Sequence, residues 1–143
     1  MSDFLQLERR GPIAILTMDR QESLNAIGTH EDCQNIISTF ERIRDNRGIS
    51  AVILTGKGKA FSAGGNLKGM KDRNGIGVLD QPDSTRSNYR EGVQAVIRAL
   101  MDCEVPMIAA INGHAIGLGC DLACTADIRI AAQSAQFACS FIK

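Results

Sequence analysis

Two short apolar runs constrain the fold most, because each suits a strand covered on both faces and each ends in a glycine-bearing loop. Ala51-Val52-Ile53-Leu54 leads into Thr55-Gly56, and the stretch from Val105 to Ile111 leads into Asn112-Gly113. Such runs, where β-branched residues recur without polar alternation, fit the interior of a parallel sheet. Between them the period is helical. Cys33, Ile36, Ile37, Phe40 and Ile43 predict an amphipathic helix that Thr29 caps and that Asn46 to Gly48 stop, and Tyr89, Val93, Val96, Ile97 and Leu100 predict a second. Phe4 to Leu7 and Ile13 to Met18 predict an opening hairpin around Arg10-Gly11-Pro12. Helix signals resume near Cys120, and Asp127 to Ala131 reads as a further strand.

Strands alternating with helices in this way specify an α/β unit of parallel crossovers, whose ligands bind at the strand carboxyl ends. Both glycine loops sit there. Arg73 to Arg86, polar and rich in Gly, Asp and Ser with a proline, predicts a mobile excursion bordering the ligand pocket. The 143 residues, 44% hydrophobic and 22% charged, fit one globular domain. Sixteen basic residues balance sixteen acidic ones, so neither nucleic acid nor an anionic membrane is the expected partner. The opening MSDFLQLERR lacks the apolar core of a secretory signal, and no apolar stretch approaches the roughly 20 residues that span a bilayer. A cytoplasmic protein with a small-molecule partner is expected. Cys33, Cys103, Cys120, Cys124 and Cys139 are odd in number and form no CxxC pair; Cys120 and Cys124 lie four apart, as one helical face would place them, but two cysteines with the distant His30 and His114 make a poor zinc set, so no metal site is expected.

The loops themselves point to chemistry done by backbone. Adjacent glycines in Ala63-Gly64-Gly65-Asn66 allow a sharp turn and a close approach to a ligand, although an ordinary strand-to-helix turn explains that segment taken singly. The second loop, Asn112 to Asp121, places Gly113, Gly117 and Gly119 immediately before a helix. Its amides and the positive helix end suit a developing oxyanion, and two such loops can form one hole. GxxxxGK[ST], GxGxxG and GxSxG are all missing, which argues against nucleotide hydrolysis and a serine triad.

AFSAGGNLKGM and INGHAIGLGCDLACTADIRIAA resemble the two signature segments of the crotonase superfamily, the enoyl-CoA hydratase/isomerase family. Leu24-Asn25-Ala26 and Ala51 to Gly56 fall where that family has comparable segments, so the resemblance runs through nearly the whole chain. It implies a ClpP/crotonase α/β fold of repeated ββα units, with residues 1–143 as the N-terminal portion of one domain and the C-terminal helices beyond it. It also implies an acyl-CoA substrate from fatty acid metabolism, no separate cofactor, and a homotrimer or hexamer at full length.

By the same resemblance the oxyanion hole comprises the amides of Gly65 and Leu118, and Asp121 stands in the place of the family's first catalytic acid. The acyl-CoA would pass Leu24, Ala26, Ala63, Gly64, Gly65, Asn66 and Leu67, with His114, Ile116 and Gly117 on the second loop. Lys57, Lys59 and Lys68 are placed either to meet CoA phosphates or simply to face solvent. Asn66 replaces an aspartate common in the family, a change assigned to local capping, and Asp127 reads as structural. Where family hydratases carry a second glutamate, twenty positions beyond Asp121, this chain has Phe141, which transfers no proton. That favours isomerisation or another reaction needing one acid over two-carboxylate hydration. It also leaves open a catalytically reduced acyl-CoA-binding or scaffold protein.

Overall fold

The computed structural model describes residues 4–73, 75–76 and 82–140. An antiparallel hairpin opens the chain, β1 (Leu5–Arg10) and β2 (Ile13–Met18), paired from Leu5↔Met18 to Arg10↔Ile13. Helix α1 (His30–Arg44) follows, its start closed by a reciprocal capping box. The Thr29 hydroxyl accepts from the Asp32 N–H at 3.1 Å, and the Asp32 carboxylate accepts from the Thr29 N–H at 3.0 Å. Three parallel strands then build outward from the hairpin: β3 (Ala51–Gly56), β5 (Met107–Ile111) and β7 (Ile128–Ala131), giving the order β1-β2-β3-β5-β7. The alternating buried residues of β2 and β3, Ala14, Leu16, Met18, Val52 and Leu54, share a core with Ile36, Phe40 and Ile43 of α1. Val96 and Leu100 of α4 (Val93–Met101) join them.

The structure revises three expectations. Two segments that read as loop, and the stretch after Ala131 where the sequence predicts no element, contain a second sheet of very short parallel strands, β4 (Ala60–Ser62), β6 (His114–Ile116) and β8 (Phe137–Ala138), in that order. Each follows a strand of the large sheet, which gives the repeated two-strand unit of a crotonase-type fold. The helix expected through Tyr89 to Leu100 is two, α3 (Pro82–Glu91) and α4, parted at Gly92, where any Cβ would press on the Asn88 carbonyl oxygen at 2.7 Å. The excursion expected over 73–86 is therefore helical from Pro82, a residue suited to a first helical turn. The rest of that excursion, at 74 and 77–81, lies outside the described residues. Helices α2 (Leu67–Lys71) and α5 (Leu118–Thr125) each begin directly after a glycine loop. Among the described residues no helix is long and apolar enough to cross a membrane.

Candidate functional site

The first loop, between β4 and α2, is clamped by the segment that follows β2. The Ala63 N–H donates to the Leu24 carbonyl at 2.9 Å, the Ile27 N–H to the Gly64 carbonyl at 2.8 Å, and the Asn66 N–H to the Ile27 carbonyl at 3.0 Å. Gly65 is thereby bridged to Ile27 in parallel fashion through its neighbours' groups, which turns its own N–H away from that partner. The clamp has an unusual support. Leu24 and Asn25 both adopt left-handed backbone, with φ of 54° and 58°, a conformation that costs energy outside glycine. The fully buried Asn25 carboxamide offsets it, donating to the carbonyls of Lys57 at 3.0 Å and Ala60 at 2.9 Å and accepting from the Arg20 N–H at 2.9 Å. Asn66 caps α2, its side chain accepting from the Gly69 N–H at 3.0 Å, as its sequence position suggested.

The second loop turns at Gly117, whose φ is 53°. Its N–H donates to the Ala138 carbonyl at 2.7 Å, tying the turn to β8, and its carbonyl accepts from the N–H groups of Cys120 and Asp121. Leu118 is the first residue of α5, so its N–H has no acceptor within the helix and lies at the positive helix end. The two loops meet backbone against backbone. A Cβ on Gly64 would overlap the Ile116 carbonyl oxygen and come within 3.0 Å of the Leu118 nitrogen, while one on Gly119 would overlap the Ser62 carbonyl oxygen. Glycine at 64 and 119 is what allows this contact. Among the described residues, neither the Gly65 nor the Leu118 N–H donates to a backbone carbonyl.

Both residues line one cavity of about 320 Å³, with apolar walls for the most part. Of the residues singled out from sequence, it gathers Ala63, Gly65, Leu67, Ile116, Gly117 and Leu118. Ile27, Met70, Tyr89, Val93 and Ser140 complete the wall, none of them singled out as a site residue from the sequence, although Met70 ends the first signature segment and Tyr89 and Val93 belong to the predicted second helix. Leu24, Ala26, Gly64, Asn66 and His114 do not line it. Gly64 and Asn66 shape the loop, Ala26 is buried beneath it, and His114 pairs with Ala60 in the small sheet. Asp121 stands half-buried on the first turn of α5, outside the cavity wall, and burial pushes its carboxyl above the ordinary carboxylate range. Phe141 lies outside the described residues.

Of the three lysines, Lys57 is engaged with Asp19 at 2.6 Å, while Lys59 and Lys68 are exposed. Asp127 is structural, its carboxylate accepting from the Met107 N–H at 2.8 Å at the start of β5. A larger groove of about 690 Å³ between β1 and α1 is lined by polar side chains such as Gln34, Asn35 and Arg42 and touches neither glycine loop. Among the described residues no group of three or more His, Cys, Asp or Glu is placed to hold a metal ion.

Comparison with known proteins identifies the family of the chain. The Enoyl-CoA hydratase/isomerase family profile matches residues 8–143. A short-chain-enoyl-CoA hydratase of Clostridium acetobutylicum is 36% identical over 137 residues, covering 92% of this chain and 47% of that protein. The crystal structure of an enoyl-CoA hydratase/carnithine racemase from Magnetospirillum magneticum superposes with a TM-score of 0.83 at 31% identity, over 96% of this chain and 49% of the other. A monofunctional enoyl-CoA isomerase from M. smegmatis superposes at 0.73, also at 31% identity, over 95% and 53%. The chain thus spans about half the length of the relatives it matches.

Proposed function

The chain belongs to the enoyl-CoA hydratase/isomerase family, and on that premise we propose that it transforms acyl-CoA thioesters through an enolate held by the Gly65 and Leu118 amides. The observation that carries this is the convergence of both residues on one apolar cavity with their N–H groups, among the described residues, uncommitted to backbone carbonyls. The thioester oxygen would accept both hydrogen bonds. As the α-proton leaves, negative charge moves onto that oxygen, so the bonds strengthen in the transition state more than in the ground state. Each donor is then worth about 3 to 4 kcal/mol to the barrier. The α5 positive end adds to the same field.

Asp121 is the carboxylate nearest in sequence to the hole, three residues beyond Leu118. Its raised pKa makes the carboxylate a better base than an exposed aspartate, and the conjugate acid can return the proton. With Phe141 in place of a second acid, one carboxylate suffices for isomerisation: Asp121, which does not itself line the cavity, would have to reach in from the first turn of α5, take a proton from the α-carbon of a 3-enoyl-CoA and deliver it to the γ-carbon. Incubation with 3-enoyl- and 2-enoyl-CoA panels tests the reading. Conversion of 3-enoyl to conjugated 2-enoyl thioester is expected to exceed water addition. Water addition dominating would overturn the isomerase assignment, and an absence of acyl-CoA binding in calorimetry would overturn the site.

A further inference from the structure

We infer that Met70, bridged to Tyr89, sets the length of acyl chain that this cavity accepts; the inference rests on the acyl-CoA reading of the site. The first observation is placement. Met70 and Tyr89 line the same cavity of about 320 Å³ as Gly65 and Leu118, so an acyl chain whose thioester oxygen meets the two amides has these side chains as part of its wall.

The second observation identifies those side chains. Met70, on α2, lies directly against the oxyanion residue: a Cβ on Gly65 would come within 2.6 Å of the Met70 methyl. On its other side the Met70 sulfur takes the Tyr89 hydroxyl of α3 at 3.8 Å. Thioether and phenol together form a bridge of side chains from the hole to the next helix. The groups that meet in this bridge are side-chain ends, so shortening one of them enlarges the cavity at this wall. Methionine also suits a boundary that must yield slightly, being unbranched and soft.

The third observation is the chemistry of the wall. Ile27, Val93 and Ile116 are aliphatic, so each methylene that enters is desolvated with no polar group to compensate. Affinity should therefore climb with chain length until the space is full, and stop there.

Calorimetry with saturated acyl-CoAs from two to twelve carbons reads this directly. Affinity is expected to rise up to about fourfold per added methylene, corresponding to about 0.8 kcal/mol, and to level or fall at a chain length short of twelve carbons. Met70→Ala should move that break to longer chains, Met70→Leu should keep it, and circular dichroism would confirm that both variants stay folded. A wild-type affinity still climbing at twelve carbons overturns the limit. A break that Met70→Ala leaves unmoved overturns the assignment to Met70. If no acyl-CoA binds, acetyl-CoA included, the site reading falls and this inference with it, whereas tight binding of long chains removes the inference alone.

Discussion

The Ser62 hydroxyl donates to the Asn25 carbonyl at 2.8 Å and accepts from the Gly64 N–H at 3.1 Å, so one side chain joins the left-handed turn to the loop that presents Gly65. Asn25 answers from the other direction with its carboxamide. Asn25→Ala leaves the carbonyls of Lys57 and Ala60 and the Arg20 N–H without that partner, and places alanine at φ 58°. A loss of about 3 kcal/mol is expected, from groups that each cost about 1 to 3 kcal/mol when left unsatisfied. Urea denaturation checks it, and a loss below about 1 kcal/mol would show that the turn does not depend on Asn25.

Gly64→Ala is expected to be worse for function than for stability. The added methyl meets the Ile116 carbonyl oxygen and the Leu118 nitrogen, neither of which is a side chain free to swing aside. Gly64 also has φ of 83°, where alanine is strained. The two loops must part, and misplacement by about 1 Å in such a hole costs about a hundredfold in rate. Steady-state turnover beside a melting curve separates the effects. Wild-type kcat/KM in this variant would break the proposed coupling between the loops.

How much of this was legible in the sequence depended on element length and on what carries each function. The strands β3 and β5 were readable from Ala51 to Leu54 and from Val105 to Ile111, the latter beginning two residues later in the structure, and α1 from Thr29 and its apolar spacing. The three short strands β4, β6 and β8 were not, because two or three residues show no period. Glycine loops advertise backbone chemistry, and the family resemblance singled out Gly65 and Leu118, which the structure brings to one cavity. The remaining wall could not be read in this way: Met70 ends the first signature segment and Tyr89 and Val93 sit in a helical pattern, but they come from three different helices and carry ordinary core chemistry, and only tertiary packing brings them together. Asn25 was visible within its segment, but its role depends on carbonyls more than thirty positions away.

Acid should release the clamp segment through Asp32. Burial raises the Asp32 pKa, but the Arg20 guanidinium at 2.7 Å, the N–H groups of Gly28 and Thr29, and the Arg20 charge outweigh it, and the carboxyl lies below its ordinary value of 3.8. A lowered folded pKa gives stability present above the unfolded value and lost as pH falls below it. Arg20→Ala is expected to cost about 3 kcal/mol at neutral pH, since it strands a buried carboxylate, and to flatten the acid limb below pH 4. Denaturation midpoints from pH 7 to 2.5 give the comparison; parallel curves for both proteins would rule the pair out as the acid-sensitive element.

The cysteines should separate cleanly by reactivity. Burial and contact with the Cys139 thiol, 4.0 Å away, push Cys120 up to about 12, and burial pushes Cys33 up to about 11. Thiolate is the reactive form. At pH 8 iodoacetamide is therefore expected to label the exposed Cys124 and Cys139 well before Cys120 or Cys33. Peptide mass spectrometry over a labelling time course reads the order, and early modification of Cys120 would mean that α5 opens in solution.

Asp121→Asn tests the proton chemistry and carries its own sign. Because burial raises the folded pKa, the folded protein holds the proton more tightly than the unfolded chain does. Stability from this group is present below the unfolded value of 3.8 and is lost as pH rises through the folded pKa. Asparagine removes the titration, so the variant should lose that pH-dependent segment and be no less stable than wild type at neutral pH. Turnover should move the other way, falling by about a hundredfold to ten-thousandfold, the usual worth of a positioned acid–base group. In wild type the rate should climb with pH as the carboxylate forms. A variant that retains full turnover would assign the proton transfer to another group, while leaving the Gly65 and Leu118 amides as the oxygen-binding element.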